Sequence, residues 1–347
     1  MAAEQIVEID GKTLKLTNLD KVFYPSVGFT KGQVIDYYAR IAPVLIPHLK
    51  NKPLTLKRYP NGVNQPPFFE KNATQYRPEW VKTAPIWSQG NQRQINYILA
   101  NDLPTLIWVA NLASIELHPS LSLADNIPCP RSIVFDLDPG PPATIVQCCQ
   151  VALWLQTIFG HFQLESFPKT SGSKGMQVYV PLNTATSYDE TKPLAHALAR
   201  LLENEHRDLV VSDMKKEIRT NKVFVDWSQN DDHKTTISVY ALRARERPTV
   251  STPITWEEVE NCLKKKDAGL LVFESQQTLA RVEKLGDLFR PLLRLKQKLP
   301  KLPRIDPGEP AAPPARNSPS RRASPSASKP AKVRKEAIIP RARKPGS

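Results

Sequence analysis

Three aspartates stand at the ends of short apolar runs, where their side chains could bind metal ions. Asp136 and Asp138 follow residues 132–135, and Asp226 follows residues 223–225. Because residues i and i+2 of a strand point to the same face, we expect the Asp136 and Asp138 carboxylates to lie side by side in the turn after the strand. Paired carboxylates suit hard divalent cations, and a third carboxylate would complete a two-metal site for nucleotidyl transfer. For the D-x-D pair alone, an acidic surface turn is the alternative.

A loop of small residues, 170–175 (TSGSKG), comes before the apolar run 177–181. Its backbone N–H groups, together with the Lys174 side chain, could hold phosphate groups. The spacing is not that of a Walker A loop, and a flexible turn is the alternative. Arg243 and Arg245 lie two residues apart after another apolar run, so we expect both to face an anionic ligand.

Strand and helix patterns interleave over residues 1–300 and predict an α/β (α+β) fold with mixed and antiparallel sheets flanked by helices. An apolar stripe with i, i+3, i+4 spacing begins after Thr30, which is suited to cap a helix. Further helices are predicted at 103–117, 143–159 and 194–202 and in the charged span 256–300, and strands at 12–16, 54–58, 132–135, 177–181, 223–226 and 235–240.

Residues 301–347 differ from the rest of the chain in composition. They contain ten prolines, twelve basic residues and three acidic residues, and they account for most of the chain's formal charge of +14. A segment with so few large apolar side chains cannot bury enough surface to offset its ordering entropy, so we expect a disordered tail. Such a basic tail could bind nucleic-acid backbone without reading sequence, or serve only as a solubilising linker.

Several classes of protein are excluded by the composition. No run approaches the roughly 20 apolar residues of a membrane span, and the N-terminus lacks the basic-then-apolar pattern of a secretory signal. The four cysteines show no C-x-x-C spacing, which argues against a zinc site or a disulfide framework. We therefore expect no membrane partner and a location in the reducing cytoplasm, in association with the nucleoid.

The segments VFDLDPG, TSGSKG and KVFVDWSQN occur in this order and resemble the three signatures of the polymerase domain of bacterial ligase D. That domain belongs to the archaeo-eukaryotic primase superfamily. The resemblance covers most of residues 10–255 and includes the segments 17–25, 52–71, 115–118 and 238–245. It implies a primase-polymerase catalytic core over residues 1–300.

The resemblance also implies a role for each matching residue. Asp136, Asp138 and Asp226 would be catalytic and would hold two ions of manganese or magnesium. Lys21 and Lys31 would bind the 5′-phosphate of a downstream DNA strand. The loop of Arg219 would handle the primer end, and Lys52 would lie near the templated nucleotide or primer. The nucleoside triphosphate (NTP or dNTP) would be bound by Ser171, Lys174, Gln177, His118, Arg243 and Lys52, with Phe68 and Phe69 as stacking platforms for the incoming or templating base.

Gln177 departs from the family pattern, which usually has a histidine six residues after the serine of the second signature. In the family, that histidine contacts the nucleotide phosphates. Glutamine can donate a hydrogen bond but cannot carry a charge, and a charge-assisted bond is about twice as strong as a neutral one. We therefore expect this chain to have reduced but real activity.

The reaction implied is the metal-dependent addition of nucleotides, preferably ribonucleotides, to primer 3′ ends at gaps and breaks during DNA end-joining repair. The 347 residues leave no room for ligase or phosphoesterase modules, so Ku and a separate DNA ligase are the expected partners at DNA ends. Two alternatives stay open. One is a weakly active or non-catalytic end-bridging module that keeps the 5′-phosphate site, and the other is a primase that starts chains without a primer.

Overall fold

The computed structural model describes residues 4–300, so the tail predicted for residues 301–347 lies outside the described residues. Most strands pair with partners that are close in sequence, as expected for hairpin-like connections. The strands are β1 (Glu4–Ile9), β2 (Lys12–Thr17), β3 (Val22–Tyr24), β4 (Phe29–Thr30), β5 (Leu54–Arg58), β6 (Phe68–Glu70), β7 (Thr83–Ser88), β8 (Arg93–Ile98), β9 (Ser114–Pro119), β10 (Ser122–Leu123), β11 (Asn126–Pro130), β12 (Ser132–Pro139), β13 (Phe167–Thr170), β14 (Met176–Pro181), β15 (Val210–Val211) and β16 (Val223–Asp226).

The helices begin where the sequence supplies a cap. Thr30 caps the first helix as predicted, because its hydroxyl accepts from the Gln33 N–H while the Gln33 side chain accepts from the Thr30 N–H. The helices are α1 (Lys31–Leu49), α2 (Leu103–Asn111), α3 (Ile145–His161), α4 (Tyr188–Glu205), α5 (Trp256–Lys265) and α6 (Ser275–Leu285).

Two five-stranded sheets organise these elements. In the first sheet the order is β6-β5-β8-β7, with β9 also paired to β5, and all pairs are antiparallel. In the second sheet the order is β13-β14-β12-β16-β15, and only the β15–β16 pair is parallel. The predicted class of mixed and antiparallel sheets flanked by helices is therefore confirmed.

The alternation of side chains along β12 determines on which face of the second sheet the aspartates lie. Ile133, Phe135 and Leu137 are buried in the core cluster that contains α3, α4 and α5. Val134 instead belongs to the cluster built around the first sheet, α1 and α2. Asp136 shares the face of Val134 because strand side chains alternate. The acidic face of the second sheet is thus the one that is turned away from α3, α4 and α5.

The first sheet divides its side chains in the same way. Leu54 and Leu56 of β5 are buried in the cluster that contains α1 and α2. Lys57 lies on the opposite face, where its cross-strand partner on β9 is Glu116. Each sheet therefore packs helices on one face, while Asp136 of the second sheet and Lys57 of the first lie on the other.

Two predicted elements are wrong in part. The helix predicted at 103–117 ends at Asn111, and the next residues turn through Ala113, whose φ is 64°, into strand Ser114–Pro119. The apolar run could form either element, and pairing with β5 decides in favour of the strand because tertiary contacts override local helix propensity.

The strand predicted at 235–240 is not formed. The N–H groups of Thr236 and Ser238 do bond to the carbonyls of Pro119 and Leu117, so this segment follows the edge of β9. No regular ladder develops, because the chain turns away at Tyr240, whose φ is 62°. A further difference is that β12 continues to Pro139, so Asp136 and Asp138 lie within the strand and not in a turn after it.

Candidate active site

Sheet register brings the candidate metal ligands into one row. Asp136 lies directly opposite Asp226 on one side and Gln177 on the other, and Gln177 lies opposite Lys169. Directly opposed residues share a face of the sheet, so these four side chains project together, and we call them the carboxylate row. Asp138 lies two residues further along β12 on the same face, next to the row. The three predicted aspartates are therefore brought together.

The three carboxylates differ in how well they are compensated. Asp136 Oδ1 is buried and has no hydrogen-bond partner. Burial, followed by the charge of Asp138, raises the pKa of Asp136 to about 7, and burial with Asp226 raises the pKa of Asp138. Asp226 is well held, since it accepts from the Ser228 N–H at 2.9 Å and from the Gln229 amide at 2.9 Å. An unpartnered buried carboxylate oxygen beside two further carboxylates fits a divalent cation.

The loop at residues 171–175 is built tightly onto the strand of the aspartates. The Ser171 hydroxyl accepts from the N–H groups of Ser173 and Gly175, both at 3.2 Å. A Cβ at Gly175 would lie 2.0 Å from the carbonyl oxygen of Leu137, so only glycine allows this approach. Lys174 is exposed at the tip of the loop. The loop is therefore a fixed structure with one free cation, and not a flexible turn.

Three basic side chains contact Glu116 on the face of the first sheet where Lys57 lies. Its Oε2 atom lies 3.0 Å from His118 Nε2 and 3.6 Å from Lys57 Nζ. Its Oε1 atom accepts from Arg243 Nε at 3.2 Å and from the Ala244 N–H at 3.1 Å. Although burial acts in the opposite direction, these donors hold the pKa of Glu116 well below its usual range. We call Glu116, His118, Lys57 and Arg243 the basic cluster.

Sequence reasoning found His118 and Arg243 but missed the carboxylate between them. The signal was present in the segment Ile-Glu-Leu-His at 115–118, because alternation along a strand puts Glu116 and His118 on one face. Arg243 also donates from Nη1 to the carbonyl oxygen of Ser171. This guanidinium therefore connects the basic cluster to the loop that packs against the strand of the aspartates.

The two neighbouring phenylalanines do not act as a pair. Phe69 lies opposite Lys57 in the β5–β6 pair, and its ring meets His118 edge-on with 6.0 Å between ring centres. Phe68 lies opposite Arg58, whose guanidinium is 5.0 Å from the centre of its ring. Phe69 therefore belongs to the face of the basic cluster, while Phe68 lies on the other face of the sheet.

The two lysines expected to bind a 5′-phosphate lie together at the start of α1. The Lys31 N–H donates to the Lys21 carbonyl at 2.8 Å, and the exposed Lys21 ammonium donates to Asn61 Oδ1 at 3.1 Å. The Lys31 ammonium is buried and donates to the Thr17 carbonyl at 2.6 Å. Burial first, then the charges of Lys21 and Arg58, lower the pKa of Lys31 to about 8.

The remaining predicted residues lie on either side of the carboxylate row. Arg219 packs its guanidinium 3.6 Å from the ring centre of Phe224, which is the cross-strand partner of Asp138. Lys52 is half-buried and lines a small cavity of about 40 Å³ with Lys169 and other residues. Burial lowers the pKa of Lys52 to about 8.

A polymerase-domain family model, described as LigD, primase-polymerase domain, matches residues 30–289. The chain belongs to this family. It is 41% identical over 281 residues to the multifunctional non-homologous end joining protein LigD of Mycolicibacterium smegmatis, and 31% identical over 289 residues to the bifunctional LigD of Bacillus subtilis. The structure of the polymerase domain from Mycobacterium tuberculosis ligase D in complex with DNA superposes with a TM-score of 0.75 at 38% identity.

The extent of these matches differs between the whole relatives and the solved domain. The alignments take in 80% and 83% of this chain, but only 36% of the mycobacterial and 45% of the Bacillus protein. The solved LigD polymerase domain is covered over 98% of its length by 81% of this chain. The resemblance inferred from the sequence is thereby confirmed, and it concerns the polymerase domain of LigD. Among residues 4–300, no helix is long and apolar enough to cross a membrane.

Gln177, where the sequence resemblance led us to expect a histidine, is a buried member of the carboxylate row. Only 2% of the residue is exposed, and its Oε1 accepts from the Tyr179 hydroxyl at 3.3 Å. The Gln177 amide counteracts part of the rise in the pKa of Asp136. Lys169, next in the row, is fully buried and donates to the Ser251 hydroxyl at 2.6 Å. Gln177 is therefore buried beside Asp136, and its amide oxygen is bonded to Tyr179.

Another group of possible metal ligands lies outside this row. The side chains of Asp231, Asp232 and His233 approach one another within 4.8 Å. Asp231 is already paired with Lys192 at 2.5 Å, and His233 with Asp232 at 3.1 Å. Each of these partly or fully exposed residues already has a partner of opposite charge type, so the group does not need a cation.

Proposed function

We propose that this chain adds nucleotides from nucleoside triphosphates to the 3′ end of a primer at DNA gaps and breaks. The observation that carries the proposal is that Arg243 links the basic cluster to the loop beside the carboxylates. Arg243 bonds both to Glu116 of the basic cluster and to the loop that packs on the strand of Asp136 and Asp138. A triphosphate held by the cluster and loop would therefore lie next to the carboxylates.

The residues that would hold two divalent cations, manganese or magnesium, are Asp136, Asp138 and Asp226. Their carboxylates share one face of the sheet, and the Asp136 oxygen without a partner is available for coordination. When bound, such ions activate the attacking hydroxyl and neutralise the leaving pyrophosphate. Asp226 would keep its position through the Ser228 and Gln229 bonds whether or not the cations are present.

The residues that would bind the triphosphate are Lys174, Arg243, His118 and the backbone of the loop that Ser171 organises. Lys174 is an exposed point charge, while Arg243 offers a planar guanidinium fixed from two sides. Phe69 is 61% exposed beside His118 and would stack on a base. We assign Gln177 to the support of Asp136 and not to the phosphates, because it is buried.

The residues that would bind DNA lie on two sides of the nucleotide. Lys21 and Lys31 would bind the 5′-phosphate of the downstream strand, with Arg58 and its stacked Phe68 nearby. Arg219 would contact the primer end next to Asp138, and Lys52 the templated nucleotide or primer. We further propose that the reaction serves non-homologous end joining, which the names of the relatives state for those proteins.

Primer extension on a gapped duplex with a 5′-phosphate tests this proposal. The assay contains manganese or magnesium and ribonucleotides or deoxyribonucleotides, and compares the wild-type chain with Asp136→Asn. Incorporation by the wild type and none by the variant is the expected result. Absence of incorporation, with binding that still depends on the 5′-phosphate, would contradict the proposal and favour an end-bridging module. Synthesis on a single-stranded template without primer would favour a primase.

A further inference from the structure

The basic cluster contains a carboxylate where the proposed ligand is an anion. Glu116 is 2% exposed and lies between His118, Lys57 and Arg243. A buried negative charge here would repel a triphosphate, so its presence in the cluster requires another contribution to binding. Glu116 makes that contribution through the particular atoms of Arg243 and His118 to which it bonds.

Arg243 has its guanidinium fixed by two different acceptors. Glu116 accepts from Nε at 3.2 Å, and the Ser171 carbonyl accepts from Nη1. Nη2 has no hydrogen-bond partner among residues 4–300 and is left to bind a ligand. A planar guanidinium engaged at two of its nitrogens has a defined plane, whereas a free arginine would lose rotamer entropy on binding.

His118 is oriented by the same carboxylate. An ionised carboxylate only accepts hydrogen bonds, so the His118 proton facing Glu116 at 3.0 Å must be on Nε2. Nδ1 is then the ring nitrogen that is turned away from Glu116. Glu116 thus determines which atoms of both Arg243 and His118 are available.

We propose that Glu116 is a positioning residue for the incoming nucleotide, whose carboxylate orients Arg243 and His118 toward the triphosphate. This inference rests on the function proposed above. It differs from a purely structural role, because the loss of a buried ion pair would lower stability without changing nucleotide affinity. Glu116 acts through Arg243 and His118 and need not touch the substrate itself.

The first test compares Glu116→Gln with Glu258→Gln. Glu258 receives two bonds from Arg281, at 2.6 and 2.8 Å, and its side chain is 32% exposed, so this pair is a more exposed glutamate–arginine pair outside the basic cluster. We expect Glu116→Gln to raise KM for the ribonucleotide about tenfold, with kcat changed by less than about threefold. Glu258→Gln should lower the unfolding temperature but leave KM unchanged. An unchanged KM in Glu116→Gln would overturn the inference.

A second test asks whether Glu116 acts through Arg243. In an Arg243→Ala background, Glu116→Gln should raise KM by less than about threefold, whereas in a Lys174→Ala background the full tenfold effect should persist. Equal effects in both backgrounds would contradict positioning through Arg243.

Calorimetric binding of inorganic triphosphate separates this inference from the proposed function, since it requires no catalysis. Glu116→Gln should bind this probe about tenfold more weakly than the wild type. Equal affinities would overturn the role of Glu116 even if the chain incorporates nucleotides. A wild type that binds triphosphate but incorporates no nucleotide would count against the polymerase alone. Binding of the 5′-phosphorylated duplex should be the same in both proteins and reports that the variant is folded.

Discussion

The carboxylate row and the basic cluster use acidic side chains in opposite ways. Asp136 of the row and the adjacent Asp138 repel each other, one oxygen of Asp136 lacks a partner, and the pKa values of both are raised. In the cluster, one glutamate is shared by several donors, and its pKa is held well below its usual range. The first region has excess negative charge and the second excess positive charge. Whether a carboxylate binds a cation or orients other side chains thus depends on the hydrogen-bond donors around it more than on its residue type.

The largest effect is expected from Asp136→Asn. Removing this charge should reduce incorporation about 10³-fold or more, since the row would lose its buried metal ligand. The same change should raise the unfolding temperature in metal-free buffer by about 2 °C, because burial and Asp138 disfavour the charged form. Thermal unfolding with a chelator present, together with single-turnover extension, measures both quantities. A lower unfolding temperature would show that the row is not repulsive.

Asp226→Asn is the matched control for that prediction. Asp226 accepts hydrogen bonds from Ser228 and Gln229, so its carboxylate already has partners in the folded chain. The variant should also lose most of its activity, but it should not gain stability. An equal rise in the unfolding temperature for both substitutions would mean that Asp136 and Asp226 do not differ in this way.

An intermediate effect is expected at Lys31, on the far side of the first sheet from the basic cluster. Lys31→Met should reduce the preference for a 5′-phosphorylated gap about tenfold, because a buried ammonium is a strong phosphate donor. Paired binding measurements on duplexes with and without the 5′-phosphate test this. Lys50→Met, which removes an exposed lysine at the end of α1, should leave the preference intact.

The same site should depend on pH in a defined direction. The pKa of Lys31 is lowered to about 8, so the ammonium is charged below that value and neutral above it. The preference for a 5′-phosphate should therefore fall as the pH rises from 7 to 9. Lys31→Met should show a flat profile over this range. A preference that rises with pH, or falls equally in the variant, would contradict the assignment to Lys31.

The sequence was a good guide where local pattern and tertiary pairing agree. The strand that carries Asp226 and strand β5 match their predicted bounds, 223–226 and 54–58, because apolar runs between turns have no competing element. The helix predicted at 103–117 was wrong over its last residues. That apolar run is compatible with a helix or a strand, and it forms strand β9 because it pairs with β5. Pairwise register could not be predicted either, so neither the row Lys169, Gln177, Asp136 and Asp226 nor the central position of Glu116 was foreseen.

The smallest effect is expected at Gln177, although the sequence made it the most suspect position. The resemblance led us to expect a phosphate-binding histidine here, but Gln177 is buried in the row, opposite Asp136, and accepts from the Tyr179 hydroxyl. Gln177→His should therefore change KM for the nucleotide by less than about threefold, since the new ring would meet the same neighbours. Steady-state extension with the variant and wild type at one pH measures this. A tenfold fall in KM would instead place this position on the phosphate side, and would make the row and the basic cluster one continuous binding surface.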